Sequence, residues 1–142
     1  MVKAALRELG TVAFRKVAMQ PGMPQGFGTI GDKRVPIFTL PGNPVSAYVS
    51  FQLFVRPALA ALQGVADLRL NAVRATLTRP VRSPAKRRSY LRGVLEGGQV
   101  SPLSGQGSHQ IAALGKANAL IIVPEQETGL PEGQTVDVLV LP

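Results

Sequence analysis

Val35-Pro36-Ile37-Phe38-Thr39-Leu40-Pro41-Gly42-Asn43-Pro44-Val45-Ser46-Ala47 turns an apolar strand directly into the first turn of an amphipathic helix. Val35 to Leu40 is short, mostly apolar and β-branched or aromatic, which predicts a buried strand. Pro41 and Gly42 end it. Asn43 is a strong N-cap residue, and Pro44 suits the first helical position, where its missing N–H is not needed. The helix so begun would leave unpaired backbone N–H groups and the positive end of its dipole beside the Ser46 hydroxyl, an arrangement suited to a phosphate or another oxyanion. The same pattern also fits a capped helix with no ligand. No Lys-Ser or Lys-Thr follows the glycine, and no Gly-x-Gly-x-x-Gly stands at a strand-to-helix turn, so the common nucleotide loops do not fit.

Upstream, Val17-Ala18-Met19-Gln20-Pro21-Gly22-Met23-Pro24-Gln25-Gly26-Phe27-Gly28 leaves a strand through two prolines and three glycines. Such a segment makes a rigid loop, either a connector or one wall of a pocket. In a parallel α/β sheet it would lie on the same, ligand-binding side as the Leu40-Pro41-Gly42 turn. The surrounding pattern predicts a helix over 2–9 stopped by Gly10, strands over 12–19, 27–30 and 35–40, and a helix from Pro44 to Leu62. Pro57 should kink or restart that helix, since an interior proline costs about 3 kcal/mol. Tyr48, Phe51, Phe54, Val55 and Leu62 widen its apolar surface enough to predict that it is largely buried. Two helices and two or three strands are few elements to cover it, so the N-terminal module reads as incomplete.

Gln63-Gly64-Val65-Ala66-Asp67 marks the expected boundary between an α/β unit at 1–66 and an all-β unit at 67–142. Beyond it, strands are predicted over 71–77, 89–95, 100–103, 119–123 and 136–141, separated by Gly, Pro and Ser turns. The uniformly apolar last strand favours a compact barrel or sandwich. The fold class is therefore α/β, an incomplete sheet with helices, followed by a small β-barrel-like domain.

With 142 residues, of which 45% are hydrophobic, the chain is ordinary for a globular protein. It has no cysteine and a single histidine, His109, which excludes disulfides, thiolate sites and a multi-histidine metal centre within one chain. Met1 to Gly10 lacks a long apolar core, and Val45 to Val55 is too short to cross a bilayer, so a cytoplasmic protein is expected. The net charge of +8 favours anionic partners, and Arg79, Arg82, Lys86, Arg87, Arg88 and Arg92 form a basic run without one acid. That run is open to three readings: a solvated face, a contact for a phosphorylated small molecule, or a nucleic-acid surface. Tyr90 is its one aromatic, which leaves base stacking little to work with.

Together the two loops resemble the molybdopterin molybdenumtransferase family, the MoeA proteins and the E domain of gephyrin. Phe14 to Pro24 is similar to the family's Val-x-Met-x-Pro-Gly-x-Pro segment, and Leu40 to Ala47 to its Leu-Pro-Gly-Asn-Pro-Val-Ser block. Arg88-Ser89-Tyr90-Leu91-Arg92 resembles the aromatic-x-Arg strand of its C-terminal β domain, which Gly105 to Ser108, Ala112 to Ala119 and Gly133 to Val136 continue in family order. The likeness spans essentially the whole chain and the C-terminal part of a family member. It implies insertion of molybdate into the dithiolene of adenylylated molybdopterin (molybdopterin-AMP), with release of AMP and assistance from Mg2+. It also implies that Pro24, Ser46 and Arg92 line the molybdate pocket, with Gly42 and Asn43 near the pterin phosphate. An arginine fork and a hydroxyl suit a tetrahedral oxyanion. Gln20 and Met23 stand where the family commonly has lysines, with Arg15 or Lys16 as candidate replacements. The family's acidic metal-binding and catalytic residues match none of this chain's eight acids, so no metal ligand and no catalytic residue is assigned here. The expected partner beyond the substrates is a second copy, giving a homodimer, or a missing N-terminal polypeptide. A non-catalytic fragment or split subunit is the alternative, and a basic nucleic-acid-binding β domain the third; neither needs a membrane.

Overall fold

The computed structural model describes residues 2–106 and 111–142. Helix α1 (Val2–Leu9) is followed by β1 (Ala13–Lys16), β2 (Met19–Gln20), β3 (Pro24–Ile30) and β4 (Val35–Thr39). The strand predicted over 12–19 is broken because Met19 N–H bonds back to the Val17 carbonyl, a tight turn that sends β2 to a different sheet. β1, β3 and β4 form a three-stranded sheet with β3 in the centre.

That sheet is antiparallel throughout, with Ala13 opposite Phe27 and Gly26 opposite Thr39, which corrects the parallel arrangement assumed from the sequence. The two loops nonetheless fall on one side. β4 runs against β3 with Thr39 opposite Gly26, so the end of β4, which leads into the Leu40–Gly42 turn, lies beside the beginning of β3, which the Pro21–Met23 turn precedes. β4 is an edge strand rather than a buried one: Val35 is 52% exposed.

The second helical segment is continuous but not uniform. α2 (Pro44–Ser50) passes through a π-helical turn, Phe51–Val55, into α3 (Arg56–Leu62). In the π turn the Arg56 N–H reaches the Phe51 carbonyl, five residues back. The widened turn precedes Pro57, which has no N–H to continue an α ladder, so the helix restarts with the proline in its first turn. Burial is confined to Val45, Ser46, Val49, Ser50 and Gln52, and α3 buries nothing. The expectation of a largely buried helix is therefore wrong: Phe51, Leu59 and Leu62 are exposed, because the three-stranded sheet leaves that face without a covering layer. Pro44–Leu62 is the one helix among the described residues long and apolar enough to cross a membrane by length and composition, longer than the Val45–Val55 stretch considered from the sequence.

The remaining chain forms β5 (Ala72–Leu77), β6 (Val81–Arg82), β7 (Arg88–Glu96), β8 (Gln99–Pro102), β9 (Ala119–Val123), β10 (Gly129–Leu130) and β11 (Thr135–Val140). The order β7-β8-β5-β11-β9 closes through β7–β9 pairing into a five-stranded barrel, which leaves no open sheet edge. Leu77, Val100, Ile121, Val123 and Val138 fill it, each nearly inaccessible and each worth about 1.5–3 kcal/mol of burial. Gly93 sits tightly in this packing: a Cβ there would come to 3.0 Å from Val100 Cγ2 and 3.1 Å from Ile121 Cδ1, so those side chains would have to give by a fraction of an ångström. A second cluster explains the uniformly apolar last strand. Leu120, Leu139 and Leu141 point outward from the barrel and pack with Met19, Val49, Tyr48, Leu53 and Phe54, so β9 and β11 are covered on both faces.

Candidate anion site at the seam

The helix start, the proline-glycine loop and the barrel meet at one cavity of about 480 Å3. Met19 to Met23 form one wall, Val45 and Ser46 another, and Arg82, Arg87, Tyr90, Arg92 and Gln106 come from the β-rich half. Among the described residues no carboxylate lines it.

Each wall is held by local chemistry. β2 pairs in parallel with β7, Met19 opposite Arg88 and Gln20 opposite Ser89, which carries the loop onto the barrel. Gly22 has φ +98° and its missing Cβ would approach Ser50 Oγ to 2.8 Å, so this position needs glycine for both reasons. Gln25 Nε2 donates to the Gly22 carbonyl and to Ser50 Oγ, both at 2.6 Å, tying loop to helix. Asn43 caps the helix as its sequence position demands: Oδ1 accepts from Val45 N–H at 3.1 Å and Ser46 N–H at 3.3 Å. Those two donors are thereby occupied, which corrects the expectation of unpaired N–H groups at the first turn. Ser46, 6% exposed, lines the cavity from this first turn.

Arg92 is 1% exposed, and burial pulls its pKa below the ordinary value while leaving the guanidinium cationic. Its Nη2 donates to the Gly105 carbonyl at 2.6 Å. On β7 it lies between Ser89, which pairs with β2, and Gly93, which pairs with β8. In that gap Gln106 replaces a neighbouring strand. Its Oε1 accepts from Arg92 N–H at 2.9 Å, and its Nε2 donates to the Arg92 and Leu103 carbonyls, both at 2.8 Å. Burial raises the pKa of the Tyr90 phenol, opposed by the nearby Arg88 cation.

Of the residues expected from the sequence, Ser46 and Arg92 converge on this cavity. Pro24 does not line it; it faces a separate cavity of about 380 Å3 with Thr39, Leu40 and Pro41. Gly42 and Asn43 are also outside the lining, Asn43 acting through the cap. Arg15 and Lys16 line the Pro24 cavity and not this one. Gly107, Ser108 and His109 lie outside the described residues.

Sequence reasoning missed Arg82, Arg87 and Gln106 as lining residues. The basic run gave a signal for the arginines but not their separation. Arg79 Nη2 is bound to the Pro102 carbonyl and Arg88 Nε to Glu125 Oε2 at 3.0 Å, while Arg82, Arg87 and Arg92 turn to the cavity. The run is thus divided among several directions rather than spread over one face. A divalent cation does not fit this lining. Three guanidiniums repel it, and among the described residues no group of three acids or histidines stands together.

The family described as the probable molybdopterin binding domain matches residues 1–61, and the one described as the MoeA C-terminal region (domain IV) matches residues 74–141. Molybdopterin molybdenumtransferase 1 of Mycobacterium tuberculosis is 40% identical over 99% of this chain and 35% of its own length. Gephyrin of Dictyostelium discoideum is 34% identical over 99% of this chain and 23% of its own. The solved structure of a molybdopterin biosynthesis MoeA protein from Pyrococcus horikoshii superposes with a TM-score of 0.81 at 34% identity, covering 97% of this chain and 34% of that one. The chain thus spans between about a quarter and about a third of the length of the curated relatives it matches. With both family matches in order along the sequence and the fold shared with MoeA structures, the chain belongs to the molybdopterin molybdenumtransferase family, of which it carries the C-terminal part.

Proposed function

We propose that this chain contributes the anion-holding wall of an enzyme that inserts molybdate into adenylylated molybdopterin, releasing AMP. The observation that carries the reading is the convergence of Ser46 and Arg92, from opposite halves of the sequence, on one cavity lined by arginines and no carboxylate. A tetrahedral dianion held there would accept hydrogen bonds from the Arg92 fork and the Ser46 hydroxyl. These groups bind and orient; none is placed to act as a general base. In this reading residues 1–66 are half of the α/β domain and 67–142 the β domain, although β2 crosses between them. Pro24, Gly42 and Asn43 shape the approach rather than touch the oxyanion. The Mg2+ expected for the reaction would draw its ligands from outside this chain, and no step is routed through it.

The exposed Val2, Leu9, Phe27, Leu59 and Leu62 belong, in this reading, to faces covered by a homodimer partner or by an N-terminal polypeptide, and the assembly is cytoplasmic. Catalysis by the 142-residue chain alone is not expected, because the acids that would hold a metal are not at the cavity. Equilibrium dialysis of the chain against labelled molybdate tests the reading. Saturable binding should weaken by about tenfold in Ser46→Ala and in Arg92→Lys, each losing one donor to a charged ligand. Absence of binding, or binding indifferent to both substitutions, would overturn it.

A further inference from the structure

We propose that Arg82 and Arg87 form an outer, doubly cationic subsite of this cavity that takes a phosphate or phosphoric-anhydride group, while Arg92 and Ser46 hold a separate oxyanion deeper in. The proposal rests on reading the cavity as an anion site and adds residues and a ligand class to it.

The burial of the three arginines is graded: Arg92 is buried, Arg87 half-buried and Arg82 exposed, although all three line one space. Arg82 ends β6, where it pairs with Gly129. The following turn is pinned by Ser83 N–H to the Thr128 carbonyl at 2.9 Å, by a Ser83–Ser89 hydroxyl contact at 2.7 Å, and by Lys86 N–H to the Glu125 carbonyl at 3.0 Å. Lys86 adopts φ 64°, reversing the chain so that Arg87 returns to the cavity that Arg82 faces. Two guanidiniums are thus brought to one space by fixed backbone rather than by mobile side chains alone.

Their charge is uncompensated. Among the described residues neither makes a side-chain hydrogen bond or an ion pair, whereas Arg74 and Arg88 are paired with acids and Arg79 with a carbonyl. Like charges held together and unneutralised favour an anion between them, and an arginine pair favours one with several acceptor oxygens. The cavity volume of about 480 Å3 also exceeds what one tetrahedral oxyanion at Arg92 would occupy, given a water's share of about 30 Å3.

Calorimetric titration of the 142-residue chain with inorganic pyrophosphate and, separately, with inorganic molybdate tests the assignment. The Arg82→Gln/Arg87→Gln double variant should weaken pyrophosphate binding by about tenfold or more, and molybdate by no more than about threefold. Arg82→Lys/Arg87→Lys should recover most of the loss. Arg7→Gln/Lys33→Gln, the same change in net charge at exposed positions outside the cavity, should leave both ions within about twofold. Each single glutamine variant should show part of the effect, which keeps the test available if the double variant does not fold. Pyrophosphate binding unchanged in the double variant, or weakened equally by the Arg7/Lys33 control, overturns the subsite while leaving a molybdate site at Arg92 standing. Failure of the unsubstituted chain to bind either ion overturns both.

Discussion

Gln106→Ala should destabilise the protein through Arg92 rather than through lost packing. The carboxamide fills the one gap along β7 where neither β2 nor β8 supplies a partner, and it makes three hydrogen bonds there. Two of the carbonyls involved fare differently: Arg92 retains a bond from Leu103 N–H at 3.0 Å, while the Leu103 carbonyl loses Nε2. The Arg92 N–H is left without its acceptor. A typical hydrogen bond contributes about 1 kcal/mol net, and an abandoned buried donor costs about 1–3 kcal/mol. Because Gln106 lines the cavity, water can enter and recover part of this, which sets the expected loss at about 2 kcal/mol. Urea unfolding followed by circular dichroism measures it, as a lower midpoint at unchanged slope. Gln106→Glu keeps the acceptor for Arg92 N–H but turns both donated bonds into carboxylate–carbonyl repulsions, so it should cost a similar amount despite its matching shape. A loss below about 0.5 kcal/mol in both variants, the range of an ordinary surface change, would refute the view that this side chain stands in for a strand.

Three further outcomes follow from burial and charge. Leu120→Ala, at a fully buried position on the barrel's outer face, should cost about 2–4 kcal/mol in urea unfolding, whereas Leu59→Ala on the exposed face of α3 should cost less than about 0.5 kcal/mol. The raised Tyr90 pKa means that the folded state favours the neutral phenol. Its contribution is present below the unfolded value near pH 10 and is lost as pH rises through the folded value, so Tyr90→Phe should flatten the alkaline fall in unfolding midpoint. Glu125→Gln removes a half-exposed pair with Arg88 and should leave the urea midpoint nearly unchanged, the small difference shrinking further in high salt.

The sequence carried local structure well because local rules govern it. Asn43-Pro44 announced the helix start, and the cap bonds to Val45 and Ser46 are those its chemistry requires. The apolar run at 119–123 was legible as a strand with its full length. Pairing direction was not legible, since alternation and turn residues do not say that β3 and β4 run antiparallel or that β2 leaves them for β7. The site divided in the same way. Ser46 sits at a helix start whose residue types suggest anion binding and Arg92 was picked out of its basic run by the family resemblance, whereas Arg82, Arg87 and Gln106 join them through the turn over 83–86 and a gap in strand pairing, both products of tertiary folding. The cap that made the helix visible also occupied the N–H groups expected to bind the ligand.

The central claim is that Ser46 and Arg92 jointly hold molybdate. Diffraction from crystals of the chain soaked in molybdate, recorded at the molybdenum absorption edge, locates the metal without reference to any assumed ligand. The account predicts an anomalous peak in the cavity between helix α2 and β7, with the ion's oxygens about 2.7–3.2 Å from Ser46 Oγ and the Arg92 guanidinium. No peak there, or a peak only in the Pro24–Thr39 cavity, would contradict it.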